Sequence, residues 1–358
     1  MTSTSDRPVH SVAYKRRRAF NWLPLGLTYA FLYMARYNLT VSKNALGDLM
    51  PKDAFGIIFA VGTITYAFSF LINGPLTDRI GGKRAMLIGA AGSALMNILL
   101  GIVVYGILVE QWALNLTVAF SVIYAMNMYF QSYGAVAIVK VNSAWFHVRE
   151  RGIFGGIFGI LISLGLYFAF DWSQAVVNFT EQMSPESPKY WLVFFIPAGI
   201  LLFWVLIDLF VLRDTPGQAG FKDFDTGDAS SGEADTPFSL KDILRRIFTN
   251  RVILIVAMIE FCTGVLRNGV MHWFPIFAKE QIVADPVTAS EWNFWLNNWG
   301  LMLMIAGAGG GMLAGWMSDH LFGSRRAPVA GIFYTFLLLA VVGMTFSLFG
   351  TPTRLGLL

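Results

Sequence analysis

Long apolar runs dominate this chain of 358 residues and alternate with short polar segments. A membrane-spanning helix needs about 20 mostly apolar residues, and nine stretches of the chain meet this requirement. The spans are predicted at residues 20–45, 54–74, 85–109, 114–139, 152–170, 190–212, 252–278, 294–317 and 328–349. The pattern therefore predicts an all-α polytopic membrane protein.

One long polar segment separates the sixth predicted span from the seventh. Residues 213–250 are rich in Asp, Gly and Ser, which is the composition of a solvated linker. The end of this segment, "FSLKDILRRIF", has the pattern of a short amphipathic helix on a membrane surface. We predict an N-terminal six-helix bundle over 1–212, a cytosolic linker over 213–250 and an incomplete C-terminal bundle over 251–358.

Composition and charge agree with insertion into a membrane. The chain is 56% hydrophobic and only 13% charged, whereas about a quarter of the residues are charged in soluble domains. With the N-terminus in the cytosol, the segments predicted on that side carry 18 of the 26 Lys and Arg residues, and the outer segments carry four. This excess is the positive-inside pattern. The basic residues therefore indicate topology, not nucleic-acid binding, and we expect an integral protein of the bacterial plasma (inner) membrane.

Two polar loops indicate an internal repeat. "GPLTDRIGGKR" (74–84) follows the second span, and "GWMSDHLFGSRR" (315–326) follows the eighth. The aspartates of the two loops are 241 positions apart, and Arg36 and Arg267, in the first and seventh spans, are 231 positions apart. Spans one to three and seven to nine are therefore predicted to be copies of one unit. Two six-span halves would contain three further spans, so we expect the chain to be a fragment.

Arg36 and Arg267 lie within predicted spans, where a charge is costly. An arginine at the bilayer centre costs ~3 kcal/mol unless it faces a wet cavity or an anion. Phosphate suits two such residues, because guanidinium groups bind its oxygens bidentately and stay charged at any working pH. Tyr29, Tyr33 and Arg36 are spaced i, i+4 and i+7, so they share one helical face. We therefore predict an anion site in a central cavity that these tyrosines line.

Several longer motifs are similar to those of a known transporter family. "LTYAFLYMARYNL", "YFQSYG", "VLRNGVMHWFP" and the two repeated loops resemble the organophosphate:phosphate antiporters of the major facilitator superfamily. The resemblance covers about residues 15–345 and implies the fold of that superfamily. It implies that Arg36 and Arg267 face each other across the cavity and hold phosphate. Tyr66 matches a further tyrosine of the family, and Lys140 matches a basic motif position that we place at the cavity mouth.

The loop after the second span resembles the signature loop of the superfamily. The resemblance implies that glycines permit close helix approach, that the aspartate meets the positive end of a helix dipole, and that the loop latches the cytosolic side during transport. The residues concerned are Gly74, Asp78, Arg79, Gly81 and Arg84, with Asp319 and Arg326 in the second copy. The alternative is that these charges only anchor a cytosolic turn.

Three positions depart from the family pattern. Some antiporters of the family have a lysine on the second span and a histidine on the fifth, in or near the pocket, whereas the matching residues here are Phe70 and Ile162. We therefore expect a less basic pocket. Glu260 is an addition that precedes Arg267 by seven residues on nearly the same helical face. It is predicted either to pair with Arg267 or to carry a coupling proton.

These features predict a secondary transporter that exchanges a small phosphorylated or otherwise anionic solute for inorganic phosphate by alternating access. No nucleophile–base pair points to an enzyme, and the four histidines lack the spacing of a metal site, so neither a metal nor a cofactor is expected. Two alternatives stay open: a proton-coupled symporter of a carboxylate or sugar acid that uses Glu260, and a transporter-like sensor of a sugar phosphate. We expect a monomer in the lipid bilayer.

Overall fold

The computed structural model describes residues 10–147, 150–227, 245, 247–323 and 325–349, with the backbone alone at 151–154 and 347–349. This part of the chain consists of helices joined by short connections, which confirms the predicted all-α polytopic fold. The helices are α1 (Val12–Leu46), α2 (Lys52–Ile80), α3 (Gly82–Leu108), α4 (Leu116–Trp145), α5 (Arg151–Tyr167), α6 (Ser173–Met183), α7 (Leu192–Val211), α8 (Arg251–Ala284), α9 (Ala289–Asn297), α10 (Trp299–Leu321) and α11 (Arg326–Phe349). A π-helical turn, Phe168–Trp172, joins α5 to α6 without a break.

Each predicted span overlaps one long helix or, for the fifth span, the continuous pair α5–α6. The eighth span, predicted from residue 294, starts inside the short helix α9, and α10 begins at Trp299. Within the described residues, seven helical segments are long and apolar enough to cross a membrane. Helices α1 and α4 have the length, with 35 and 30 residues, but are more polar. Many of their polar residues are buried against other helices of the bundle. These buried residues include Asn21, Thr28, Arg36, Asn38, Asn127, Gln131 and Asn142. These two helices therefore carry the polar interior of the fold.

Successive long helices from α1 to α8 run in alternating directions, which gives the bundle two ends. We call the end at which α1 begins the near end, and the end at which α1 finishes the far end. Helix α1 is central, because it packs against α3, α4, α5 and α7, and also against α8. The charge pattern of the sequence predicts that the near end is cytosolic.

The chain divides into two compact units, Met1–Met304 and Ile305–Leu358. The first unit holds α1 to α9 and the start of α10, and the second holds the rest of α10 and α11. The division into bundles at 1–212 and 251–358 stays a prediction. Much of the linker predicted between them, including most of the stretch predicted as a surface helix, lies outside the described residues.

The segment predicted as a signature loop is mostly helical. Helix α2 continues to Ile80, six residues beyond the predicted end of the second span, and α3 begins at Gly82. Gly81 alone joins the two helices, with a φ of +90° that favours glycine. A Cβ at this position would also lie 2.8 Å from Oδ2 of Asp214. The loop prediction was therefore wrong in extent, because polar helix ends outside the bilayer lack the apolar signal that defines a span.

A proline inside α8 is compensated by a side chain from the next long helix. Pro275 has no N–H, so the carbonyl of Met271 lacks its helical donor. The indole Nε1 of Trp299, at the start of α10, donates to this carbonyl over 3.0 Å. Such replacement of a lost backbone bond is how membrane helices tolerate proline.

The start of α10 is also fixed by a carboxylate from the π-helical turn. Asp171 accepts hydrogen bonds from the N–H groups of Gly300, at 2.6 Å, and Leu301, at 2.9 Å. A carboxylate at this place satisfies unpaired amides and interacts favourably with the helix dipole. A Cβ on Gly300 would meet Asp171, Leu166 and Tyr167 at 2.9 Å, so this close approach requires glycine.

Candidate functional site

Arg36 is buried in the middle of α1, with only 4% of its surface exposed. Its guanidinium group donates to Oε1 of Gln131 from Nε, at 3.3 Å, and from Nη2, at 3.1 Å. Nη2 also lies 3.3 Å from the hydroxyl of Tyr66, to which it donates. The charge is therefore held in place by neutral groups of α2 and α4.

Gln131 is itself fixed by two further hydrogen bonds. Its Nε2 donates to the carbonyl of Leu32, at 2.9 Å, and to Oγ of Ser93, at 2.7 Å. Ser93 then donates to Asn127, at 2.6 Å, and Asn127 donates to the carbonyl of Ala35 at 2.9 Å. Because every link is made, this network orients the amide oxygen towards Arg36.

Aromatic rings cover the guanidinium group. Its central carbon lies 4.5 Å from the ring centroid of Tyr66, 5.1 Å from that of Tyr33 and 5.6 Å from that of Tyr37. Tyr29 and Tyr33 contact each other edge to face, with centroids 5.4 Å apart. The predicted tyrosine stripe on α1 is thus next to Arg36, although Tyr29 reaches it only through Tyr33.

Arg36 has no carboxylate partner among the described residues. The salt bridges of this part of the chain involve other cations: His10, Arg18, Lys52 and Lys140. A buried guanidinium group without an acid is costly unless an anion or water compensates it. The site therefore has an unbalanced positive charge inside a polar pocket.

Helices α1 and α8 run in the same direction and contact each other in a constant register. Oγ1 of Thr40 lies 2.8 Å from Nδ1 of His272, and Nδ2 of Asn44 donates to the carbonyl of Pro275 over 2.8 Å. Each partner on α8 is 231 or 232 positions later in the chain. This matches the offset of the internal repeat, so the repeated helices pack side by side near the far end.

The same register places Arg267 at the depth of Arg36. Arg36 precedes Thr40 by four residues and Arg267 precedes His272 by five, which corresponds to about 6 and 7.5 Å along the respective helices. Arg267 is exposed, however, and no described residue forms a hydrogen bond or ion pair with it. The structure thus sets the two cations at one level but leaves Arg267 unconstrained.

The contact between α1 and α8 is closed by a cluster that we call the far-end junction: Tyr37, Thr40, Phe59, Phe170 and His272. The ring of His272 lies 4.7 Å from those of Tyr37 and Phe59 and 5.9 Å from that of Phe170. These residues come from α1, α2, the π-helical turn and α8. The sequence analysis did not single out His272; its position five residues after Arg267 was the available signal.

The buried residues of α8 all lie beyond Arg267, towards the far end. Residues 251–262 at its near-end half are all exposed, whereas Met271, His272, Pro275 and Ile276 are buried. Within the first unit, α8 therefore packs against the other helices through its far-end half. Within this unit, the surface around Arg267 is open towards the near end and closed towards the far end.

The signature-loop residues form a separate group at the near end. Nζ of Lys140 donates to Oδ1 of Asp78 over 2.8 Å, in a salt bridge between α4 and α2. Lys140 is thus paired with the signature loop at the near end, and its place at the cavity mouth stays a prediction. A cleft of about 920 Å³ is lined by both signs of charge, including Asp78, Arg79, Arg84, Lys140 and Asp214.

Asp214, which the sequence analysis did not single out, lies where the resemblance predicted Asp78. Oδ1 of Asp214 accepts from the N–H of Lys83 over 2.7 Å, at the first turn of α3. This carboxylate therefore meets the positive end of a helix dipole, whereas Asp78 pairs with Lys140. Gly74 has open space around its Cα, so no close helix approach occurs there among the described residues.

The remaining predicted residues differ in their surroundings. Glu260 is exposed on α8, and no ion pair joins it to Arg267 in the described structure. Asp319 and Arg326, of the second loop, are exposed at the ends of α10 and α11 in the second unit. Phe70 contacts the ring of Tyr66, with centroids 4.8 Å apart. The second-span position is thus an apolar wall of the pocket.

Next to the near end, an ion pair ties α1 to the start of α5. Arg18 donates to Glu150 from Nη1, at 2.9 Å, and from Nη2, at 3.3 Å. Burial raises the pKa of Glu150, but the hydrogen bond and charge of Arg18 outweigh it and hold the pKa below its ordinary value. The carboxylate is therefore ionised at neutral pH and paired.

Comparison with known proteins agrees with this architecture. The sequence profile of the Major Facilitator Superfamily matches residues 25–358. The glycerol-3-phosphate transporter of Bacillus subtilis is 26% identical, over 95% of this chain and 73% of that protein. The probable hexose phosphate transport protein of Chlamydia trachomatis is 26% identical, over 92% of this chain and 70% of that protein. The membrane sensor protein UhpC of Salmonella typhimurium is 24% identical, over 94% of this chain and 72% of that protein.

The relatives confirm the resemblance to organophosphate:phosphate antiporters, since two of the three carry a phosphorylated solute in their names. The matched profile extends from the first long helix through the last. Together with the apolar helices and the paired loops, it shows that this integral membrane protein belongs to the major facilitator superfamily.

Proposed function

We propose that the protein is a secondary transporter that exchanges a small phosphorylated metabolite for inorganic phosphate by alternating access. It lies in the bacterial plasma membrane with the near end in the cytosol, acts as a monomer and carries out no covalent chemistry. The names of the transporter relatives support the solute class. The excess of Lys and Arg in the segments at the near end supports the orientation.

The observation that carries this proposal is the buried charge of Arg36. Its neighbours are neutral donors and acceptors, and no carboxylate of the described residues compensates it. An anion that enters the pocket gains a charge-assisted, bidentate partner whose orientation is fixed in advance. The fit to an anionic solute follows from this imbalance.

Arg267 supplies the second positive charge from the repeated helix. It lies at the depth of Arg36 and is exposed, so its long side chain is free to reach a bound phosphate. One guanidinium group is thus held by Gln131, while the other closes on the ligand. In secondary transporters the substrate-binding site typically lies near the middle of the membrane, between the repeated units.

Movement of α8 relative to α1 provides the access step. The far-end junction holds these helices together, while the near-end half of α8 is exposed. In this arrangement Arg267 is exposed, and the surface around it opens towards the cytosolic side. Opening the far-end junction exposes them to the other side, and a bound anion lowers the cost of bringing two cations together during the change.

A transporter-like sensor is the second candidate, because UhpC is nearly as similar to this chain as the transporters are. A sensor binds a phosphorylated solute without net counterflow. A third possibility, proton-driven uptake of a carboxylate, uses the exposed Glu260 instead of phosphate.

Exchange of labelled phosphate tests these candidates. Proteoliposomes loaded with unlabelled phosphate are expected to take up radiolabelled phosphate, and an external sugar phosphate is expected to release it. Arg267→Lys removes the bidentate fork and is expected to reduce exchange about 100-fold, or ~2.7 kcal/mol. Arg251→Lys, an exposed arginine at the start of the same helix, is the matched control and should retain full exchange.

The other outcomes assign the alternatives. Saturable binding of sugar phosphate without any counterflow would favour the sensor. Uptake that needs a proton gradient but no phosphate, and that Glu260→Gln abolishes, would favour the carboxylate symporter.

A further inference from the structure

His272 is a buried titratable residue that the anion site does not use. Its side chain is fully buried at the far-end junction, where Nδ1 lies 2.8 Å from Oγ1 of Thr40. The second ring nitrogen, Nε2, is buried and has no hydrogen-bond partner. Histidine is the side chain whose charge changes most readily near neutral pH. An imidazole with one free nitrogen thus lies where four helical segments meet.

The closed junction accommodates only the neutral form of this ring. A protonated imidazole carries two N–H groups, of which Thr40 accepts one. The other, on Nε2, has no acceptor among the described residues, and the rings of Tyr37, Phe59 and Phe170 surround the imidazole. A buried charged donor without an acceptor is strongly disfavoured, so the proton must leave before the junction closes.

The charged groups around the ring act in the same direction. Helix α1 contributes Arg36, and α8 contributes Arg267; both cations oppose a further positive charge. Helix α2 contributes Phe59, and its residues 54–65 include no titratable side chain. The π-helical turn contributes Asp171, whose two oxygens are already engaged by backbone amides of α10. The faces of the aromatic rings offer a cation some attraction, but no acid or hydrogen-bond acceptor among the described residues compensates a buried imidazolium.

We propose that His272 is a proton-binding site that is loaded from the outer side when the far-end junction opens and emptied when it closes. Opening separates the ring from Thr40 and exposes both nitrogens to water. In water a histidine binds a proton with its ordinary pKa. Protons bind the open form and not the closed form, so external acid shifts the population towards the open form. Because one proton is bound, the ratio of open to closed form changes at most tenfold for each pH unit.

This site rests on the alternating-access cycle of the proposed function but not on the phosphate clamp. The two claims make separable predictions. The clamp concerns the response to phosphate, which Arg267 controls. The proton site concerns the response to external pH, which His272 controls.

Thiol labelling of the far end tests the proton site without any transport assay. In cells that express the full chain, Cys262→Ser removes its single cysteine, and Ala45→Cys places a thiol in the core patch that contains Met271. The rate of labelling by an impermeant maleimide is normalised to that of Glu110→Cys, an exposed far-end position. This ratio is measured at external pH 7.5 and 5.5.

The normalised rate is expected to rise at least fivefold at pH 5.5 in the parent. His272→Asn keeps an amide for the contact with Thr40 but does not titrate, and the rise should vanish. His320→Asn, at an exposed histidine of α10, is the control and should keep it. Arg267→Lys should keep the pH response while losing any effect of phosphate.

Two results would overturn the proposal: a parent rate that does not change with pH, or an equal rise in His272→Asn. His272→Gln serves as a second non-titrating variant if the first fails to reach the membrane. If the pH response depends on His272 while phosphate has no effect on labelling, the proton site stands and the clamp falls.

Discussion

Arg36 derives its role from neutral neighbours. A carboxylate in place of Gln131 would satisfy the guanidinium group internally, and an entering anion would then have to displace it. The amide instead accepts two hydrogen bonds and leaves the net charge in the pocket. Positioning by an amide therefore keeps the arginine both oriented and available.

Gln131→Glu tests whether a neutral partner of Arg36 is needed, because it replaces the amide nitrogen by an oxygen. The substitution keeps the shape of the side chain and an oxygen near Arg36, but it adds a negative charge. We expect phosphate affinity to fall at least 50-fold, because the internal carboxylate competes for the guanidinium group. Isothermal calorimetry on purified protein measures the change.

Gln131→Met is the matched control for this test. It removes the hydrogen bonds without adding a charge, so Arg36 becomes less well oriented but stays unpaired. A smaller loss of affinity, about 3- to 10-fold, is expected. An equal loss of phosphate affinity in Gln131→Glu and Gln131→Met would contradict this reasoning, because the added negative charge would then have no effect of its own.

The sequence identifies the charged residue but not the groups that orient it. Arg36 stands out because a cation in an apolar span demands an explanation. Gln131 lies 95 positions away and is one of many polar residues in α4. The pairing depends on how α1 packs against α4, which hydropathy does not encode. His272 was missed for the same reason, since its partners come from three other segments.

At the level of helices, the number of positions between the two repeats also describes how α1 and α8 pack against each other. Arg36 and Arg267 are 231 positions apart, and so are Asn44 and Pro275, which form a hydrogen bond. The sequence therefore already contained the relative depth of α1 and α8. It did not contain their separation at the near end, which only the exposure of residues 251–262 reveals.

Cross-linking tests the register directly. In the Cys262→Ser background, Thr40→Cys combined with His272→Cys is expected to form a disulfide under mild oxidation, because the two native side chains are in contact. The bond should stop exchange, and a reductant should restore it. Gel mobility after protease cleavage between the helices reports the cross-link.

Thr40→Cys combined with Asn268→Cys is the control, because Asn268 lies about one turn towards the near end on α8. We expect at least fivefold slower cross-linking for this pair. Faster cross-linking of the control pair would mean that the two helices are shifted by a turn relative to the structure.

Helix boundaries show where hydropathy fails as a guide. The second span was predicted to end at residue 74, but α2 runs to Ile80 through "GPLTDRI". The fifth was predicted to end at residue 170, but the π-helical turn continues into α6 and ends at Met183. Polar helical turns beyond the bilayer keep their backbone hydrogen bonds, although their side chains no longer resemble a span.

For the whole molecule, the distribution of positive charge predicts the orientation. The segments that the sequence predicts on the cytosolic side carry 18 of the 26 Lys and Arg residues, so the near end, where α1 begins, should stay in the cytosol during insertion. In the Cys262→Ser background, an impermeant maleimide should label Asp48→Cys in intact cells. Ser11→Cys, at the exposed start of α1, should be labelled only after permeabilisation. The reverse pattern would invert the access step proposed above.

The family and the long helices of the described residues were predictable because both depend on short local patterns. Apolar length gives the helices, and the motifs around Arg36, Arg267 and the signature loop give the family. The function of the near-end charges was less predictable. Asp78 and Asp214 occupy neighbouring positions in space, yet only the structure shows which one caps α3 and which pairs with Lys140.

The central claim is that two arginines bind one anion. Calorimetric phosphate binding to the parent, Arg36→Gln, Arg267→Gln and the double variant tests it most directly. Because the arginines share a ligand, we predict that each single substitution costs ~2 kcal/mol and that the double variant loses at least ~1 kcal/mol less than their sum. Losses that add fully, or phosphate binding unchanged by either substitution, would contradict the account.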